Sequence, residues 1–254
     1  MQTNPKIIFK PITLEENIKI IQNFYFGEGE KSEIHNLLCE YFPELHDIHK
    51  NIPKEEISTK ISAIITNYYT SNSQNIREAC KKYSAIWNKY NDTYFKKLAD
   101  YLNINWPINI NEITCYIGML PFFPRDIDNY TFYINPHLNE EKLTEACAHE
   151  TLHFLWFAKW KTLYPEMPKA EYESPYLAWR YSEMVTDPIL NNTNFQTIFN
   201  FTEKSYLEFY KLQKNGKFVM EELKKIYNSS TNIEDKITTG YEYLKNLNFK
   251  EMEK

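Results

Sequence analysis

Two histidines four residues apart, with a glutamate beside the first, stand in the stretch ACAHETLHFLWF at residues 146–157. His149, Glu150 and His153 spell H-E-x-x-H, and positions four apart on an α-helix lie one turn above each other on one face. Both imidazoles can therefore point at a single ion. Zn²⁺ suits them, because neutral imidazole nitrogen binds it at about 2.0–2.1 Å with no directional demand from its filled d-shell. Glu150 follows the first histidine and is placed to take a proton from a water activated at that ion. The competing reading is a core helix whose histidines bond to backbone carbonyls. Against it, a polar His-Glu-His set flanked by Leu152, Phe154, Leu155 and Trp156 needs partners if it is buried. Cys147 points well away from His149 at about 100° per residue and reads as a core thiol.

A catalytic zinc keeps three protein ligands and one open position. No histidine occurs after His153, so a downstream third ligand must be a carboxylate. The candidates are Glu166, Glu171, Glu173, Glu183 and Asp187. Glu183 fits best, because SEMVTD reads as helix and sets Asp187 one turn beyond it on the same face. One carboxylate can then ligate while the other accepts the free N–H of a ligating imidazole. Glu171 and Glu173 have no such companion and read as solvated acids.

HETLH followed by SEMVTD resembles the gluzincin clan of zinc metallopeptidases, whose signature is H-E-x-x-H and then E-x-x-x-D on a second helix. The resemblance covers about residues 115–190. It implies that His149, His153 and Glu183 are the zinc ligands, Glu150 the catalytic base, and Asp187 the acid orienting the first histidine. It implies peptide-bond hydrolysis, with Glu150 passing the water's proton to the leaving amine. It also implies a zincin-like fold in which Tyr130–Asn135 is an edge strand that binds a peptide substrate antiparallel. The transition-state hydrogen-bond donor would be a tyrosine, with Tyr172, Tyr176, Tyr181, Tyr206 and Tyr210 as candidates. The alternative is a zincin-fold binding or regulatory protein that retains zinc but lacks peptidase activity or holds it latent.

The rest of the chain must build a cleft around these residues. Its 254 residues, 43 % of them hydrophobic, can bury a sizeable core. A net charge of −5 with scattered lysines argues against nucleic acid or anionic membrane as a partner, and the resemblance implies a peptide or protein substrate. Five glycines are too few for glycine-rich phosphate loops. Four dispersed cysteines without a CxxC pair, an N-terminus without an apolar leader, and the absence of a long apolar run point to a cytoplasmic protein. Oligomeric state is open.

The periodicity predicts an α+β, predominantly helical protein. A helix follows a Thr13 cap, a second covers 32–42, a third 54–69, and a fourth about 74–102 with Ile76, Cys80, Tyr83, Trp87, Tyr90, Tyr94 and Leu98 on one face. EITCYIGMLPFFP and NYTFYINP, joined by the polar turn PRDIDN, read as the strands of a small sheet beside the active-site helix. That helix begins at an Asn139 cap. YLAWRYSEMVTD forms a short helix stopped by Pro188, and TEKSYLEFYKLQ, KFVMEELKKIY and IEDKITTGYEYLKNL complete a helical C-terminal lobe. The expected organisation is a helical region at 1–110 serving as scaffold, cleft wall or pro-segment, a catalytic core at 111–190, and a lobe at 191–254.

Overall fold

A computed structural model describes residues 4–27, 31–48, 52–202, 204–245, 247 and 249. Its strands are β1 (Lys6–Pro11), β2 (Glu112–Ile117), β3 (Arg125–Asp126), β4 (Thr131–Ile134), β5 (Gln213–Lys214) and β6 (Lys217–Phe218). Its helices are α1 (Leu14–Tyr25), α2 (Lys31–Tyr41), α3 (Lys54–Trp87), α4 (Asn91–Leu102), α5 (Glu140–Leu163), α6 (Leu177–Met184), α7 (Thr186–Leu190), α8 (Thr193–Gln196), α9 (Val219–Tyr227) and α10 (Ile233–Lys245). The fold class is α+β, mostly helical with a small mixed sheet. Among the described residues no helix is long and apolar enough to cross a membrane.

The chain forms two compact units that interleave along the sequence and do not follow the expected partition at 110 and 190. The first comprises the described parts of Met1–Pro5, Tyr90–Asn111 and Thr144–Lys254; the second comprises those of Lys6–Lys89 and Glu112–Leu143.

The second unit holds a sheet in the order β1-β2-β4-β3. β1 pairs parallel with β2 and β2 parallel with β4, while β3 is antiparallel to β4. Period-two alternation sends Ile113, Cys115 and Ile117 of β2 and Phe132 and Ile134 of β4 into the core. Thr114, Tyr116, Thr131 and Tyr133 stay half-buried on the opposite face. The buried Tyr83 hydroxyl of α3 accepts from Leu138 N at 2.7 Å and donates toward Asn135 O, holding the exit of β4. Asn17 of α1, fully buried, brackets Met119 with bonds to its N–H and C=O at 2.8 and 3.1 Å. That approach requires Gly118, where a Cβ would stand 2.5 Å from Ile12 Cγ2.

Several expectations are corrected here. Residues 6–11 add a strand to the supposedly helical N-terminal region. The run 54–87 is one helix, and the break falls at 88–90. No Gly or Pro interrupts that run, and Thr59, Ser62 and Thr66 turn their hydroxyls back to carbonyls four residues earlier at 2.7–2.9 Å. β4 is interior and not an edge: β2 flanks one side, and β3 with the Tyr133 N to Pro124 O bond occupies the other. The connection before β4 is nonetheless the expected polar turn, with Asp126 Oδ1 accepting from Asn129 N at 3.0 Å.

In the first unit the segment read as the helix TEKSYLEFYKLQ has only a 3-10 turn at Leu207–Tyr210, followed by the β5–β6 hairpin. Asn215 and Gly216 adopt φ of 52° and 74° at its tip, the left-handed geometry that a two-residue hairpin turn of this type demands. The short helix near 177–188 is two helices, α6 and α7. Its break is at Val185, and Pro188 sits inside the first turn of α7, where its missing N–H costs nothing.

Candidate metal centre

α5 carries the core of the first unit. Ala146, Cys147, Ala148, Leu152, Phe154, Leu155, Trp156, Phe157 and Trp160 are all buried, so apolar side chains surround the helix on every side. Asn139 caps it as expected, accepting from Lys142 N at 2.8 Å. From α4, the buried Tyr94 hydroxyl donates to Ala148 O at 2.6 Å, fixing the helix beside His149.

α6 is set against α5 through Tyr181. Its ring meets Trp156 edge-on at 5.4 Å and Trp160 at 5.9 Å. Its hydroxyl shares a 2.8 Å hydrogen bond with Tyr227 of α9 and donates to Ile237 O of α10 at 3.1 Å. Gly240 makes room for it, since a Cβ there would lie 2.2 Å from the Tyr181 oxygen. Burial of Tyr181 on that side presents Glu183, two residues on, to the histidines of α5.

The result is a convergent set. His149 Nε2 lies 3.2 Å from Glu183 Oε2, and His153 Nε2 lies 3.5 Å from Glu183 Oε1. One donor atom from each of the three lies within 4.8 Å of the others, close enough to share one metal ion, and no other such group occurs among the described residues. Two imidazoles and a carboxylate match the donor preference of zinc. Side-chain exposure falls from 18 % at His149 to 0 % at His153 and 1 % at Glu183, so the set opens to solvent on the His149 side. Behind it, the His153 ring stacks on Phe157, which stacks on Tyr172 at 4.4 Å.

Glu150 is buried on α5 next to His149 and outside the donor group. Burial, and then the Glu150 charge, push the Cys147 thiol well above its ordinary value, as expected of a core thiol. Glu166 and Glu173 are exposed, and neither they nor Glu171 join the donor group. Asp187, expected to hold an imidazole, has other partners. It accepts from Asn191 Nδ2 at 2.7 Å, from the Tyr210 hydroxyl, and from Lys224 Nζ at 3.1 Å.

Among the candidate tyrosines, Tyr181 and Tyr172 are packed in the core, and Tyr176 and Tyr206 are half exposed. Tyr210 spends its hydroxyl on Asp187; burial and that carboxylate raise its pKa. Two residues with no place in the sequence reading make bonds on the helices that carry the site. Glu145 lies one turn before His149 on the same stripe and accepts from Thr202 N and Oγ1 at 2.7 and 2.8 Å. Ser205 Oγ donates to Glu183 O at 2.8 Å. The four-residue step from Glu145 to His149 was the readable signal for the first; Ser205 had none.

No protein-family model, curated protein or solved structure matches the chain. The functional reading therefore rests on the residues themselves.

Proposed function

We propose that this chain is a zinc-dependent peptidase of the gluzincin type, with a zincin-like core. The observation that carries the proposal is the meeting of His149 and His153 from α5 with Glu183 from α6, all three donors within 4.8 Å. Those three residues would hold the ion. A zinc ion bound there supplies Lewis acidity, making a water acidic near neutral pH and stabilising negative charge on a carbonyl oxygen.

The chain's own residues do the remaining work. Glu150, buried at 5 % exposure, accepts a proton from the attacking water and returns it to the leaving amine. Burial of Glu150 limits the access of bulk water to that transfer. His149 is the most exposed of the three donors, so a peptide would reach the ion from its side. The substrate class is peptide or protein, and the reaction is hydrolysis.

A second reading is favoured by Tyr210, whose hydroxyl is held by Asp187 and so is not directed at a substrate. In that reading the chain binds zinc and serves as a binding or regulatory protein. Metal content and hydrolysis of a peptide library, measured on the wild type beside Glu150→Gln, separate the two. About one zinc per chain with cleavage that is lost in Glu150→Gln supports the peptidase. Zinc without cleavage supports the second reading, and a protein that takes up no zinc when offered it refutes both.

A further inference from the structure

We propose that Thr202, Ser205 and Tyr210 form a strap that positions Glu183 for the metal, with Ser205 and Thr202 as its positioning residues. The inference rests on the metal reading above and concerns residues outside the donor group.

Glu183 occupies the last turn of α6, where the backbone N–H of the cap residue Val185 is directed at its carbonyl. The same carbonyl also accepts from Ser205 Oγ at 2.8 Å and from Thr186 Oγ1 at 2.7 Å. Ser205 is 5 % exposed, so water does not compete for this bond. Three residues earlier, Thr202 gives both its N–H and its hydroxyl to the Glu145 carboxylate, which is fully buried. Glu145, His149 and His153 recur every four residues and so share one face of α5. Five residues after Ser205, the Tyr210 hydroxyl donates to Asp187, on the turn that follows α6.

The strap thus ties the histidine stripe of α5 to the ligand residue of α6, the same two helices that an ion would bridge. All of these groups belong to one compact unit. Fixing the Glu183 backbone fixes the carboxylate relative to the two imidazoles before any ion arrives, so less ordering is left to binding. Bonds that orient ligands from outside the donor set are commonly worth 10–100-fold in metal affinity. Acting through the backbone, Ser205 falls at the lower end of that range.

The test is zinc affinity by competition with a chromophoric chelator, on the full chain. The proteins compared are the wild type, Ser205→Ala, Ser205→Thr and Thr202→Val, each also melted in excess chelator to give its metal-free stability. Thr202 is exposed, so its variant perturbs the fold least. Ser205→Ala and Thr202→Val are expected to bind zinc about tenfold more weakly at nearly unchanged metal-free melting temperature, and Ser205→Thr to recover most of the loss. Unchanged zinc affinity in both weakened variants overturns the proposal while leaving the metal site standing. So does an affinity loss that only follows lost metal-free stability, or a Ser205→Thr variant as weak as Ser205→Ala. A wild type that binds no zinc overturns the metal reading and the strap together.

Discussion

Replacing Glu183 with Gln separates a metal ligand from a buried charge, and the two roles predict opposite results with and without zinc. In chelator the substitution keeps volume and hydrogen-bonding capacity while removing a carboxylate that is 1 % exposed. Keeping a carboxylate buried costs free energy that an amide of the same shape avoids, so the metal-free variant should melt at or slightly above the wild type. With free zinc at a hundredfold excess over Kd, the wild type gains about 2.7 kcal/mol. At roughly 2–4 °C per kcal/mol for a chain of this size, that is a rise of about 5–11 °C. If loss of the ligand weakens binding about a hundredfold, the same zinc concentration equals the variant's Kd and the gain falls to about 0.4 kcal/mol, or 1–2 °C. Tryptophan fluorescence is a suitable probe, because four of the five tryptophans, Trp106, Trp156, Trp160 and Trp179, lie in the unit that carries the site. A Glu183→Gln protein with the full zinc-dependent rise would refute the assignment of Glu183 as a ligand.

Other expectations follow from the same geometry. Glu150→Gln should lower peptide hydrolysis by about 10²–10⁴-fold while zinc content stays at the wild-type value, as read by elemental analysis beside a turnover assay; parallel loss of both would make Glu150 a structural residue. Gly240→Ala pushes a methyl to 2.2 Å from the Tyr181 oxygen and should cost about 1–3 kcal/mol in urea unfolding, whereas an unchanged midpoint would show that α10 yields freely. Glu234 accepts from the buried Lys159, and that hydrogen bond is the main cause holding its carboxyl below the ordinary value of 4.5. A depressed carboxyl contributes stability above 4.5 that is lost as pH falls through the lower folded value. Glu234 is part-exposed and screened by solvent. Glu234→Gln should therefore cost no more than about 1 kcal/mol at pH 7 and less at pH 3, and a cost independent of pH would contradict the pairing.

What could be read directly from the chain was local. The Thr13 and Asn139 caps, the alternation of β2 and β4 and the four-residue step of the histidines each depend on neighbours within one or two turns. Glu183, and not Glu171 or Glu173, lies with His149 and His153 in the group that could hold an ion, and a helical acid is presented on a fixed face where a loop acid is not. What escaped depends on distant partners or on weak punctuation. β1 is six residues with lysines at two positions and a terminal proline, and it becomes a strand through pairing with β2. The polar residues 70–73 fall between the third and fourth helices expected from periodicity, yet none of them breaks a helix. Asn215-Gly216 is a strong hairpin signal that the helical appearance of its flanks concealed. The partners of Asp187 (Asn191, Tyr210 and Lys224) include two that are distant in sequence and that no local pattern announces.

The interleaving of the two units bears on what a protease could do to this chain. The polypeptide passes from one unit to the other after Pro5, Lys89, Asn111 and Leu143. A pro-segment that is cut and discharged must be a body on its own, but residues 1–110 are not: β1 is hydrogen-bonded into the sheet of one unit, and α4 is bonded to α5 in the other. Ile108, 86 % exposed, lies in the stretch between α4 and β2 that a protease would reach most easily. A nick there would release nothing. Each unit would persist as two chain fragments held by the sheet in one case and by packed helices in the other, and the cut protein would separate only on denaturation.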